Sequence, residues 1–265
     1  MGTSRTEGID KWVRGRLGCT VVVETRAPLL LWQGGFPPVY AFARDEVSDG
    51  ALRPGSGTSY DGGWFFGPHL AVEQWYDVVA GDAVVECGAW SLADRPDRVV
   101  LTWEPGRLRW TEEDEPVALH PRDPHQRVEA LRSSRHVEVL VGETVVATSD
   151  RPVLLLETGL PTRYYLPRED VRLDLLEPTS NVSACPYKGT AHDYWTFPGP
   201  PALTDVAWSY ADPLPAVGAI AGRISFYNEI VDLRVDGVLL ERPESPFSKA
   251  EQRPSSSDRA ATEAD

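Results

Sequence analysis

The sequence predicts a mainly β protein with little helix, built as two tandem copies of one compact unit. Three observations carry this. A gap-free internal match joins Val13–Val47 to Val137–Val171. Short runs rich in β-branched residues recur with Gly and Pro between them. No long segment shows the 3.6-residue apolar period of an amphipathic helix.

The match runs at a constant offset of 124. Gly18, Val21, Val22, Pro28, Leu30, Leu31, Gly35, Pro37, Tyr40, Arg44 and Val47 meet identical residues in the later segment, from Gly142 to Val171. Shared Pro and Gly punctuation predicts shared turns. A second block follows at an offset of 118, where Ala89–Asp94 (AWSLAD) answers Ala207–Asp212 (AWSYAD). Each copy then ends in a strand-like run, Val99–Trp103 and Arg223–Tyr227.

In the second copy, Val137–Val141, Thr144–Thr148 and Val153–Glu157 read as strands, with Gly142-Glu143 as a two-residue hairpin turn. Gly159-Leu160-Pro161 reads as a tight turn before Arg163–Leu166. Pro167–Val171 is a place for one helical turn, with Pro at its start. Such spacing implies a sheet-on-sheet or barrel-like unit, and about 110 residues suit one domain. The expected division is a degenerate first copy over 10–110, a linker over 111–124, the second copy over 125–242 and a disordered tail over 243–265. The linker, TEEDEPVALHPRDP, holds three prolines and an acidic run that reads as a solvated face. The tail is polar and poor in apolar residues.

With 42% apolar residues and nine Trp, the chain can bury real cores. A balance of 26 Lys+Arg against 40 Asp+Glu gives a net charge of −14. That repels phosphate backbones and anionic membranes, so neither nucleic acid nor membrane is an expected partner. Cys19, Cys87 and Cys185 are odd in number and lack CxxC spacing, which argues against a disulfide framework or a zinc knot. The first residues hold no apolar run of signal-peptide length, and no run is long enough for a membrane span. The expectation is a soluble cytoplasmic protein.

Cys185-Pro186-Tyr187-Lys188-Gly189 brings a thiol, a phenol and an amine into one short turn. A nearby amine lowers a thiol pKa, and a lysine in an apolar pocket can lose its proton and act as a nucleophile. The same residues also suit a rigid turn with Cys185 packed inside and Lys188 paired to an acid. Glu157 ends an apolar strand, so it either faces water or has a buried partner such as Lys188 or a tyrosine. Tyr164, Tyr165, Trp195, Trp208 and Tyr210 could line a pocket or fill a β core.

The internal match bears on that choice. Glu157 is answered by Gln33, Tyr165 by Ala41 and Tyr210 by Leu92. The interval corresponding to CPYKG reads TSYDGGWFFG, Thr58–Gly67, without Cys or Lys. Joint replacement on a retained scaffold suggests that these residues work as a group. His192 follows the turn and could carry a proton to the same place, while His120 and His136 lie elsewhere. The histidines lack metal-ligand spacing, and no nucleotide, hydrolase or zincin motif is present, so no metal or cofactor is expected.

The run VVATSDRPVLLLETGLPTRYYLPREDV, then CPYKGTA, then AWSYADPLPAVGAIAGRISFYNE, closely resembles the DUF427 family. The resemblance spans His120 to about Asp236, and more weakly the first copy. It implies a compact fold of the Mss4-like, or β-tent, kind. Several β-tent families bind zinc through two CxxC pairs, which this chain lacks. The family also bears a nucleotidyltransferase label, but no paired metal-binding carboxylates or Gly-Ser nucleotide loop accompany it here.

The expected function is a small-molecule site in the second copy. Glu157, Lys188, Cys185 and Tyr164 are the catalytic candidates. Tyr165, Trp208, Tyr210 and His192 are the ligand-binding candidates. Glu157 would be general acid/base, Lys188 an anion binder, base or Schiff-base amine, a tyrosine the proton donor and Cys185 a nucleophile. A binding module without chemistry and an adaptor without a ligand are the alternatives, and formation of a homo-oligomer stays open.

Overall fold

A computed structural model describes residues 4–117 and 119–248. The chain is mainly β, with antiparallel sheets joined by short turns of 3-10 helix. It divides into two compact units, one ending at Asp123 and one starting at Pro124. Among the described residues no helix is long and apolar enough to cross a membrane.

The first unit holds a seven-stranded and a four-stranded sheet. The larger runs in the order Ser4–Gly8, Leu29–Gln33, Val39–Ala43, Arg95–Leu101, Ala83–Leu92, Val72–Ala80, Leu52–Pro54. The smaller runs Glu115–Val117, Arg109–Glu112, Val13–Leu17, Thr20–Thr25. Alternation puts Val13, Val23, Leu30, Tyr40, Phe42, Val99 and Trp110 into one core between the sheets. Leu31, Ala41, Trp90, Leu92 and Val100 form a second cluster. These residues alternate along the strands with those of the first core, so they occupy the other face of the large sheet.

The second unit is also made of antiparallel sheets. Val128–Arg132, Val153–Glu157 and Arg163–Tyr165 form one sheet, and Glu177–Thr179, Asp193–Phe197, Leu203–Ser209 and Ile224–Phe226 another. A bridge between Leu166 and Ile224 joins them. A third sheet, Thr144–Ser149, Val137–Val141, Asp232–Val235 and Val238–Leu239, packs over one face through Val137, Val139 and Val141. The opposite face carries Val153, Leu155, Tyr165, Tyr194, Trp208 and Tyr210, with Val217 and Ile220 of the 3-10 segment Pro215–Ile220 packed against them.

Corresponding pairings recur in the two units. Val13 pairs with Thr25 and Val137 with Ser149, and both hairpins shift register after their third residue, at Gly15/Arg16 and Val139/Leu140. Val23 bridges Val47, as Ala147 bridges Val171. Leu30 pairs with Tyr40, as Leu154 pairs with Tyr164. The helical turns fall at Arg44–Glu46 and Arg168–Asp170. Gly18 and Gly142 have φ of 60° and 59° in the two hairpin turns, a left-handed conformation that glycine adopts without strain.

Two expectations need correction. Residues 111–117 are not linker: Arg109–Glu112 pairs with Val13–Leu17 and turns through Glu113-Asp114 into Glu115–Val117. The acidic run is partly held. Buried Glu112 accepts from Tyr40 OH at 2.8 Å and Lys11 at 2.6 Å, and the Trp12 amide donates to Glu113. Charge and proline content resemble a linker because the pairing partner lies about a hundred residues away in sequence. The expected tail is also ordered where it begins. Pro246–Ser248 forms a turn, and Phe247 packs against Tyr227. Residues 249–265 lie outside the described residues.

Candidate functional site

Glu157 is the last residue of Val153–Glu157, on the same side as Val153 and Leu155. Strands Ser183–Cys185 and Gly189–Ala191 form a hairpin across the CPYKG turn. Its loop closes with the Lys188 amide on the Cys185 carbonyl at 3.3 Å and Gly189 at φ 97°. This turn puts Lys188 Nζ 2.5 Å from Glu157 Oε2, with side-chain exposures of only 12% and 9%.

Burial opposes the charge on Lys188, but Cys185, Glu157 and Tyr165 together push its pKa above the ordinary lysine value. Lys188 is therefore a cation near neutral pH. That favours an anion-holding role and goes against the expectation of a free amine acting as base or Schiff-base nucleophile. Burial raises the Tyr165 phenol, although Lys188 and the Trp208 hydrogen bond pull it back. Burial also raises Tyr210, with Cys185 and Tyr165 adding to the effect. Both phenols stay protonated and can donate.

Trp208 Nε1 donates to Tyr165 OH at 3.1 Å, and the rings meet edge to face at 6.3 Å. Tyr194 OH and Ser183 Oγ are 2.6 Å apart. Glu157, Lys188, Cys185, Tyr165, Trp208 and Tyr210 thus belong to one tyrosine-rich layer. Tyr164 does not. It alternates with Tyr165 along Arg163–Tyr165, and its ring lies in the other core with Trp195 and Phe197. His192 is also outside: it is exposed between Gly189–Ala191 and Asp193–Phe197. Adjacency in sequence misplaced both, because neighbours in a strand point to opposite faces.

The sequence reading missed Arg163, Asn228 and Glu229. Arg163 makes a bidentate pair with Glu229, at 2.5 and 2.7 Å, and donates to Asn228 Oδ1. Its guanidinium lies 5.6 Å from the Trp208 ring centre and 5.4 Å from that of Tyr227, with Phe247 at 5.8 Å. Burial would raise the Glu229 pKa, but Arg163 and Ser245 hold it below the ordinary value. The available signal was FYNE, an Asn-Glu step directly after an apolar strand.

In the first unit the corresponding layer is nearly apolar, with Ala41 and Leu92 where Tyr165 and Tyr210 stand. Gln33 replaces Glu157 and accepts from the His69 amide at 3.0 Å. Beside Glu157, an open depression of about 200 Å³ is lined by Arg127, Leu156, Glu157, Thr158, Leu160 and Thr162. Among the described residues no three His, Cys, Asp or Glu side chains come together as metal ligands would.

The class defined here is a β-sheet unit with a cationic lysine and protonated phenols on one sheet face. Residues 129–237 match the family model described as a domain of unknown function (DUF427). No curated protein matches the chain.

Proposed function

We propose that the second unit carries a small-molecule site centred on Lys188 and Glu157, reached through the depression that Glu157 lines. Lys188 fixes an anionic group, Tyr165 and Tyr210 donate hydrogen bonds, and Glu157 serves as acid/base if the bound molecule reacts. Cys185 stands beside them as the nucleophile candidate, and Trp208 supplies an apolar wall. The observation that carries this reading is the nearly buried Lys188–Glu157 pair. Taking two charges out of water costs several kcal/mol of each ion's hydration. At the same position the first unit has neutral Gln33 on the His69 amide beside an apolar cluster, so packing alone does not require a charged pair.

The tandem-copy reading belongs to this proposal and is supported by the pairings that recur at matching positions. The β-tent kind of unit and a cytoplasmic setting, which suits the free thiols, go with it.

The test is mass spectrometry of small molecules released from purified full-length protein. A bound anion should accompany wild type and Cys185→Ser and be absent from folded Lys188→Met and Glu157→Gln. If all four release the same molecules, the pair is a structural device and the site reading fails. Turnover of the bound molecule by wild type alone would add chemistry to binding.

A further inference from the structure

The first unit has its own cleft. Gln33, Phe36, Pro37, Pro38, Val39, Phe65, Phe66, Gly67, His69, Trp103 and His120 line it, all from that unit. It sits where the second unit has its depression. Gln33, Phe36 and Pro38 correspond to Glu157, Leu160 and Thr162 at the offset of 124, and all six line their respective cavities. One scaffold position is hollow in both units and is lined by different chemistry in each.

The first-unit cleft has no Asp, Glu, Lys or Arg in its wall. Gln33, one of its polar residues, is only 2% exposed. The Gln33 carbonyl takes the His69 amide hydrogen at 3.0 Å. No protein acceptor among the described residues takes a hydrogen from its Nε2. This amide donor is not cut off from solvent, so it can donate to an acceptor that enters the cleft. His69 donates from Nε2 to the Phe65 carbonyl at 3.2 Å, and His120 donates from Nδ1 to the Pro121 carbonyl at 2.8 Å. Burial lowers the pKa of both imidazoles, so both are neutral at pH 7.

The outer wall is aromatic and exposed. Trp64 is 73% exposed and Phe65 41%. Phe36 stacks on His69 at 3.5 Å, and Trp64 meets both edge-on at 5.1 Å. The cleft now encloses about 20 Å³ of free space, room for roughly one water. A ring can enter only if Trp64 and Phe65 swing aside. Their segment is Gly62-Gly63-Trp64-Phe65-Phe66-Gly67, with glycines on both sides of the rings. Closing over a flat ligand would bury apolar surface that is now in water.

We propose that the first unit is a second, independent binding site that takes an uncharged, flat heteroaromatic molecule bearing a carbonyl. The carbonyl accepts from Gln33 Nε2, the ring lies among Phe36, Phe65 and Phe66, and Trp64 and Phe65 close over it. The first unit is then not a worn copy of the second but a copy with its charged groups exchanged for aromatic ones.

Ligand-observed NMR titration of the full chain tests this with three probes: nicotinamide as the neutral carbonyl ring, nicotinate as its charged counterpart, and tetramethylammonium as a cation that an aromatic cage would prefer. Nicotinamide should saturate and bind at least about tenfold tighter than nicotinate, because a carboxylate loses hydration without gaining a countercharge. Gln33→Leu should weaken nicotinamide by about tenfold, the loss expected for one hydrogen bond. Phe65→Ala should weaken it by about fivefold through lost ring contact. If Gln33→Leu does not fold, Phe65→Ala decides, since its side chain is partly in water. Failure of nicotinamide to saturate, equal binding of nicotinate, preference for tetramethylammonium, or unchanged binding in the folded variants would each overturn the proposal.

Discussion

Lys188 Nζ lies 2.5 Å from Glu157 Oε2, and the contact ties the Ser183–Ala191 hairpin to the end of Val153–Glu157. Removing one partner leaves the other charge nearly buried and alone. Lys188→Met and Glu157→Leu should each cost about 3 kcal/mol or more in urea unfolding. The double variant should recover most of that loss, since two apolar side chains can replace a buried pair at little net cost. Single variants within about 0.5 kcal/mol of wild type would mean the pair is solvated and carries no strain of burial.

The Arg163–Glu229 pair sets an acid limit on stability. Glu229 is held below its ordinary pKa of 4.5 in the folded chain. Its contribution is therefore fully present above the unfolded value and is lost as pH falls through the folded one. Stability from this group should be constant from pH 7 down to about 5 and decline below about pH 4.5. The Arg163→Met, Glu229→Met double variant should show a shallower decline in acid unfolding curves than wild type. Parallel curves would remove Glu229 from the account.

Gly15 marks a difference between the two hairpin sheets. A Cβ there would lie 2.8 Å from the Trp110 ring and 2.8 Å from Val23 Cγ1. The corresponding residue in the second unit is Val139, 1% exposed. In the first unit the Trp110 ring fills that volume instead. Gly15→Ala should cost about 1–3 kcal/mol by overpacking. A neutral result in thermal unfolding would show that Trp110 can shift.

Trp208 depends on Tyr165 for its indole hydrogen bond, at 3.1 Å. Tyr165→Phe should cost about 1–2 kcal/mol, because the buried N–H loses its acceptor while the ring stays. Near-ultraviolet circular dichroism should lose part of its aromatic signal without loss of β content. An unchanged melting temperature would mean that the N–H finds another acceptor.

Much of the architecture was legible because it depends on local chemistry. Pro167 at the start of a helical turn and the Gly142 and Gly159 turns stand where their backbone preferences put them. The Glu157 side chain was suspect because a carboxylate after four apolar residues needs a partner, and Lys188 is that partner. Less legible were features set by distant pairing. The acidic run after Arg109 joins a sheet through Val13, and Arg163 finds Glu229 across more than sixty residues. No short-range pattern encodes those meetings.

By itself, the sequence determined the β character, the punctuation shared by the two segments and the group of residues exchanged between them. Turn chemistry and strand alternation act within a few residues, so they can be read there. Only the tertiary structure decided which side chains share a face. It separated Tyr164 from Tyr165, left His192 in water, placed Arg163 beneath Trp208 and made the corresponding positions of Gln33 and Glu157 two differently lined hollows. The reason is that packing and burial are set by what lies across the sheet, and those neighbours come from elsewhere in the chain.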